Sequence, residues 1–124
     1  MVTYGEYLKN ILSQTMDSYQ ILKNLQDKPG ELDLIKKVLF KINGFLRVIT
    51  NKIEDQKIPR SEFPTLKSKF KHFLETYYFE QEIETMSPLY HSDTFRVKNM
   101  RLKILESLED KNMMDDVKDL IDKL

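Results

Sequence analysis

The chain contains no cysteine, which excludes disulfide bonds, thiolate nucleophiles and metal sites built on cysteine. It also has no run of about 18 apolar residues, the length that a membrane-spanning helix needs. Its first residues lack a basic segment followed by an apolar one, so we expect a cytoplasmic protein without a membrane partner. Basic and acidic residues are equal at 20 each, so no net field attracts nucleic acid or anionic lipid.

Glycine is scarce, with three in 124 residues, and the glycine-rich motifs that cradle nucleotide phosphates do not occur. The two histidines, His72 and His91, belong to no catalytic or metal-binding motif. His72 and Glu75 form only one reversed half of the paired motif that a dimetal centre in a helical bundle requires. We therefore predict no catalytic residue, no metal site and no cofactor, and the sequence indicates a protein that is not an enzyme.

Apolar residues recur at spacings of three and four along every long stretch, which is typical of amphipathic helices. The first helix is predicted to begin after a cap at Thr3 and to end at the Pro-Gly pair 29–30. A second helix of about 24 residues begins near Glu31. A third is predicted from a cap at Ser61 to about Met86.

The loop 87–93 separates the third helix from a fourth, which Ser92, Asp93 or Thr94 can cap. Asn112 is predicted to cap a short last helix, unless the fourth and fifth helices form one bent rod. The length fits one domain, 1–124, and no segment alternates with period two. These features predict an all-α fold: an up-down-up-down four-helix bundle with a short fifth C-terminal helix.

Charges in the third and fourth predicted helices run from basic to acidic, opposite to the preference of the helix dipole. An antiparallel hairpin of these two helices compensates for that order, because it sets each basic start beside an acidic end. The same cations offer an alternative, a surface that binds phosphate groups. Its candidate residues are Lys67, Lys69, Lys71, Arg96, Lys98 and Arg101.

Some apolar residues fall off the predicted core stripes, and they mark either a helix packed on two sides or a surface for a partner. A second candidate for partner binding is the acidic face of the last helix. The candidate partner-binding residues are Phe40, Gly44, Val48, Phe79, Ile83, Met86, Asp115, Asp116 and Asp119. In the second helix, glycine is predicted to leave room for close approach.

Without a catalytic motif, the sequence favours a non-catalytic protein-interaction or regulatory module, of the adaptor, inhibitor or small-subunit type. Its partner is predicted to be another protein or a second copy of itself. The alternative is a nucleic-acid-associated small subunit that binds the phosphate backbone through the Lys/Arg patch. An acidic last helix has the wrong sign for reading DNA, so we do not predict a helix-turn-helix.

Overall fold

A computed structural model describes residues 2–90 and 92–124 of the chain. These residues contain no β-strand, which confirms the predicted all-α class. The α-helices are α1 (Tyr4–Asn24), α2 (Glu31–Lys52), α3 (Phe63–Thr76), α4 (Phe79–Tyr90), α5 (Thr94–Glu109) and α6 (Met113–Lys123). Two short 3₁₀ turns, Asp55–Lys57 and Asp110–Asn112, lie in the connections.

The core is formed by the apolar stripes that the sequence spacing predicts. On α2 every residue of the predicted stripe is buried: Leu32, Ile35, Val38, Leu39, Ile42, Leu46, Ile49 and Ile53. The other helices also contribute one face each to the same cluster, as amphipathic helices do when they share a core. Tyr4 is an exception, because the spacing assigns it to the first stripe and the structure leaves it 37% exposed.

Helix α1 begins as predicted, because the amide of Glu6 donates to the Thr3 hydroxyl at 3.1 Å. It ends at Asn24, before the predicted Pro-Gly stop. The reason lies on α5, where the Arg101 guanidinium donates to the carbonyl of Lys23 at 3.2 Å. A carbonyl at a helix end needs such a partner, so the arginine stabilises an early end. Gly30, with φ of 88°, instead lies at the start of α2.

The predicted third helix is divided in two by an extended residue, Tyr77, with φ of −109° and ψ of 127°. The prediction of one helix reaching Met86 is therefore wrong. In an unbroken helix the side chains of Phe73 and Phe79 would point to different sides, because the two residues are six apart and a turn takes 3.6 residues. The break brings both rings into the core, and Phe79 stacks on Tyr77 with ring centroids 5.2 Å apart.

The break also removes the charge inversion predicted for the third helix. Glu80 and Glu82 lie in the first turn of α4, where the helix dipole stabilises carboxylates. Helix α5 still begins with basic residues, as predicted. The carboxylate of Asp93, which precedes the helix, offsets their positive charge. Asp93 there accepts hydrogen bonds from the amides of Phe95 and Arg96 at 3.1 and 3.2 Å, which makes it the N-terminal cap.

Three further predicted boundaries differ from the structure. Ser61 does not cap α3, which begins at Phe63 after a residue without a side-chain capping bond. Helix α4 continues to Tyr90 with Pro88 in its last turn, so the predicted loop is shorter than 87–93. Asn112 precedes α6 as predicted, but with φ of 57° it makes no side-chain capping bond.

Contacts between α2 and α4 show that these helices run in opposite directions. The Asn43 amide of α2 donates to Glu80 of α4 at 2.9 Å. Ser87, near the end of α4, donates to Asp33, near the start of α2, at 3.4 Å. A late residue of one helix therefore meets an early residue of the other.

Helices α1 and α5 also run in opposite directions. The Tyr19 hydroxyl of α1 donates to Glu109, the last residue of α5, at 2.9 Å. Burial and this hydrogen bond raise the pKa of Tyr19 to about 12, so the hydroxyl keeps its proton. Asp27, just after α1, meets Arg101 in the middle of α5. No helix in the described part of the chain is long and apolar enough to cross a membrane.

Candidate interaction surface

The described part of the chain does not gather side chains for metal binding. Among residues 2–90 and 92–124, no three histidine, cysteine or acidic residues lie close enough to share an ion. His72 is exposed, and its Nδ1 lies 3.4 Å from the hydroxyl of Thr76. His91 lies outside the described residues.

The predicted phosphate-binding cations are mostly engaged with acidic groups of the same chain. Their contacts are Lys67 with Asp55 at 2.9 Å, Lys69 with Asp116, Lys71 with Glu75 at 4.0 Å, and Arg96 with Asp93 at 3.5 Å. Lys98 is exposed and forms no ion pair with a described carboxylate. Because a carboxylate already lies beside most of these cations, the structure does not bring them together as one free basic patch.

Arg101 is the most deeply placed of these cations. Its guanidinium makes two hydrogen bonds to the Asp27 carboxylate, at 2.7 and 2.9 Å. Only 11% of the arginine side chain and 14% of the aspartate side chain are exposed. The hydrogen bonds to Asp27 raise the pKa of Arg101, so the charge is held in place. This pair connects α5 to the end of α1, and it occupies the arginine that was predicted to bind phosphate.

Two of the predicted partner-binding residues on α4 are inside the molecule. Phe79 is 2% exposed and Ile83 is fully buried, which assigns both to the core rather than to an open surface. Met86 is half-buried and packs against the same core. The sequence pattern did not reveal this, because the break at Tyr77 turns the face of α4 relative to α3.

The acidic candidates on α6 have separate surroundings. Asp115 and Asp119 are exposed. Asp116 is half-buried because it binds the Lys69 ammonium of α3. Asp116 and Asp119 line one groove of about 250 Å³ between α3 and α6, with Leu66 at its base. Pairing within the chain therefore already uses part of this acidic face.

The candidates on α2 lie at its surface. Phe40 and Val48 are half-buried and pack against the edge of the core. Gly44 lies between them along the helix, and a methyl group built there would have no neighbouring atom within 4 Å. No part of the described chain approaches closely at this glycine, so the room that it was predicted to leave is open in the structure. Glycine in a helix interior costs about 0.5–1 kcal/mol relative to alanine, and no contact in the described chain explains it.

A face of α2 extends this site along the helix. The residues at helical spacing on it are Lys37, Lys41, Gly44, Val48 and Lys52, and we call them the α2 outer face. The three lysines are exposed. None of them forms an ion pair with a described carboxylate. The α2 outer face therefore combines an unfilled position at the glycine with unpaired positive charge.

The end of the α2 outer face opens into a cleft of about 300 Å³ at the start of α1. Its lining residues are Val2, Thr3, Tyr4, Tyr7 and Lys52, and we call it the tyrosine cleft. Tyr7 is 45% exposed and Val2 is 65% exposed, so apolar surface is open to solvent there. Lys52 belongs to both features, which makes the α2 outer face and the tyrosine cleft one continuous surface.

Only part of this surface could be predicted from the sequence. Gly44 and Val48 are among the predicted partner-binding residues, whereas Tyr4 falls on the predicted core stripe and the lysines of α2 belong to no predicted site. A signal for the lysines was present, because residues 34–53 contain five basic residues and no acidic one. No sequence pattern pointed to the tyrosine cleft, since it forms only where α1 and α2 meet.

Comparison of the chain with protein families, with curated proteins and with solved structures gave no match.

Proposed function

We propose that this protein is a non-catalytic protein-interaction module, of the adaptor, inhibitor or small-subunit type, and that it works in the cytoplasm. Its partner surface is the α2 outer face together with the tyrosine cleft. The observation that supports this is Gly44, a glycine in the middle of a 22-residue helix with open space above it. A partner that packs over the glycine would account for a residue that otherwise only weakens the helix.

The apolar surroundings of Gly44 also favour a protein partner. Val48 and Phe40 remain half-buried, so each keeps apolar surface that a second protein can cover. Large exposed apolar groups that cluster mark interaction sites more often than isolated ones do. Tyr4 and Tyr7 extend the cluster, and tyrosine is enriched at protein interfaces because it joins apolar area to a polar tip.

We also infer the up-down-up-down order of the bundle. In it α4, the second half of the predicted third helix, is antiparallel to α5, the predicted fourth helix. The opposite directions of α2 and α4, and of α1 and α5, support this order. An ion pair between Lys103 of α5 and Glu82 of α4, at 3.0 Å, supports the predicted match of basic and acidic ends. Such exposed pairs select an orientation rather than add much stability.

Affinity capture from the source cells tests the proposal with Val48→Asp as the probe variant. A carboxylate on the α2 outer face would lose its hydration when a partner covers it, so proteins that the native chain retains should be lost. Light scattering on the purified chain then shows whether a second copy is the partner. Circular dichroism checks that the helical content of the variant matches that of the native chain.

Phe95→Asp provides a matched control. Phe95 is 71% exposed at the start of α5, so the same kind of charge is introduced on a surface away from α2. The control should capture the same proteins as the native chain. If Val48→Asp captures that set as well, the α2 outer face is not the partner surface and the proposal is overturned.

A further inference from the structure

We infer that the occupant of the α2 outer face is an acidic amphipathic helix of another protein, which places an apolar side chain in the tyrosine cleft. This inference rests on the proposed function and adds the chemistry of the partner. Three features carry it: the unpaired lysines, the spacing of the face and the position of the cleft at its end.

The charge of the surface selects an acidic partner. Lys37, Lys41 and Lys52 are exposed, and no described carboxylate pairs with them. Of the two other basic residues of α2, Arg47 is engaged with Glu80 at 3.1 Å, and half-buried Lys36 lies over the Phe40 ring with its Nζ 5.7 Å from the ring centroid. The lysines are therefore the charges that α2 leaves for a partner, and complementary charge fixes both the choice and the register of a partner.

The spacing of the surface fits a helix. From Lys37 to Lys52 the α2 outer face is about 22 Å long at 1.5 Å per residue. A partner of about 15 residues, or four turns, would cover it. Gly44 lies near the middle, where the absence of a side chain lets a second helix approach closely. Helix-in-groove recognition uses this arrangement, with apolar anchors on one side of the bound helix.

The tyrosine cleft supplies the pocket for such an anchor. It adjoins Lys52 at the end of the face, and its volume of about 300 Å³ accommodates one large aliphatic or aromatic side chain. Tyr4 and Tyr7 offer ring surface to this side chain, while Lys52 lies beside it to pair with a neighbouring carboxylate. In protein interfaces, a few side chains buried in pockets contribute most of the binding energy, and the charged residues around them contribute less.

The other possible occupants fit less well. A second copy would offer its own acidic helix, α6, but Val117 and Leu120 on that helix are buried. The remaining apolar residues at its end, Ile121 and Leu124, already pack against the core of their own chain. A nucleic acid would contact three lysines spread along the helix, and it would leave Val48 facing phosphates. The apolar centre of the surface therefore favours a protein with acidic flanks.

Three synthetic helical peptides of one design test the inference. Each has leucines on one face and, at the flanking positions, glutamate, glutamine or lysine. Binding is followed by the NMR shifts of the backbone amides in the full chain labelled with nitrogen-15. The glutamate peptide should shift the amides of Tyr7, Gly44 and Val48, and it should bind about tenfold more tightly than the glutamine peptide, as three exposed ion pairs allow.

A charge reversal sharpens the test. The triple variant Lys37→Glu, Lys41→Glu and Lys52→Glu should lose the glutamate peptide and gain the lysine peptide. The control variant changes three exposed lysines elsewhere, Lys57, Lys98 and Lys118, to glutamate. It has the same net charge as the triple variant, so its preference for the glutamate peptide should match that of the native chain.

Equal binding of the glutamate and glutamine peptides at the α2 outer face would overturn the acidic partner and leave the proposed function intact. The acidic partner is also overturned if an oligothymidylate or a phosphatidylserine vesicle shifts these amides and the glutamate peptide does not. If no peptide shifts these amides while capture still depends on Val48, the acidic helical partner is overturned and the proposed function stands. If capture is independent of Val48 as well, the proposed function fails too.

Discussion

The two faces of α2 show different relations between sequence and structure. On the inner face, eight apolar residues at helical spacing are all buried, and their positions follow from the spacing alone. On the α2 outer face, a methyl group at Gly44 would have no neighbour within 4 Å, and the three lysines form no ion pair with a described carboxylate. One helix therefore carries a face that is buried in the core and a face that stays largely open. The second is where a binding function is expected.

Truncation of the inner face should give the largest effect. Ile42 is fully buried, so Ile42→Ala removes core contacts and leaves a cavity, and the free energy of unfolding should fall by about 2–5 kcal/mol. Val48→Ala on the α2 outer face should lower it by about 1 kcal/mol, because only part of the side chain leaves water. Urea unfolding followed by circular dichroism measures both. Equal losses at the two sites would show that the faces do not differ in packing.

Charges provide the second contrast, because Arg101 has a partner and Lys41 has none. Asp27→Asn removes the carboxylate that binds Arg101 but keeps a residue that tolerates the left-handed backbone, with φ of 61°. Loss of this charged hydrogen-bonded pair should reduce the free energy of unfolding by roughly 1.5–3 kcal/mol. Lys41→Gln should change it by less than about 0.5 kcal/mol.

Chemical denaturation at two salt concentrations measures this difference and adds a check. The Asp27 and Arg101 side chains are largely shielded from water, so added salt should weaken their contribution little. If the loss of unfolding free energy in Asp27→Asn disappears at high salt, the ion pair is screened by solvent. Paired and unpaired cations would then contribute equally little to the stability of this fold.

Most of the helix positions could be predicted from the sequence because apolar spacing is a local signal. The stripes from Leu32 to Ile53 and from Val97 to Leu108 are buried as predicted. The boundaries that failed depend on distant residues. Helix α1 ends where Arg101, on another helix, binds its last carbonyls. The break at Tyr77 depends on space for Phe79 in the core, which no local pattern encodes.

The candidate surface was predictable only in part, for the same reason. The position of Gly44 between Phe40 and Val48 is visible in the sequence, whereas the open space above it depends on where the other helices lie. Phe79 and Ile83 had the same apolar spacing as the α2 candidates, and the structure buried them. Spacing therefore identifies apolar faces, and the packing of the remaining helices decides which of them stay open.

Gly44→Ala is expected to change stability only slightly, and it separates the effect on folding from the effect on binding. Gly44 has a helical backbone and no neighbour within 4 Å of an added methyl group. The free energy of unfolding should therefore rise by about 0.5–1 kcal/mol, because alanine is the better helix former. The same methyl group would occupy the position over which a partner helix packs, so capture and peptide binding should weaken.

Thermal unfolding and peptide titration on the same samples measure these opposite changes. Asn99→Ala on α5 is the matched control, since Asn99 is exposed away from the proposed partner surface and alanine is the better helix former there too. It should leave the glutamate peptide bound as tightly as before. If Gly44→Ala raises stability and binding stays unchanged, no partner packs over this position. The two faces of α2 would then differ in burial but not in function.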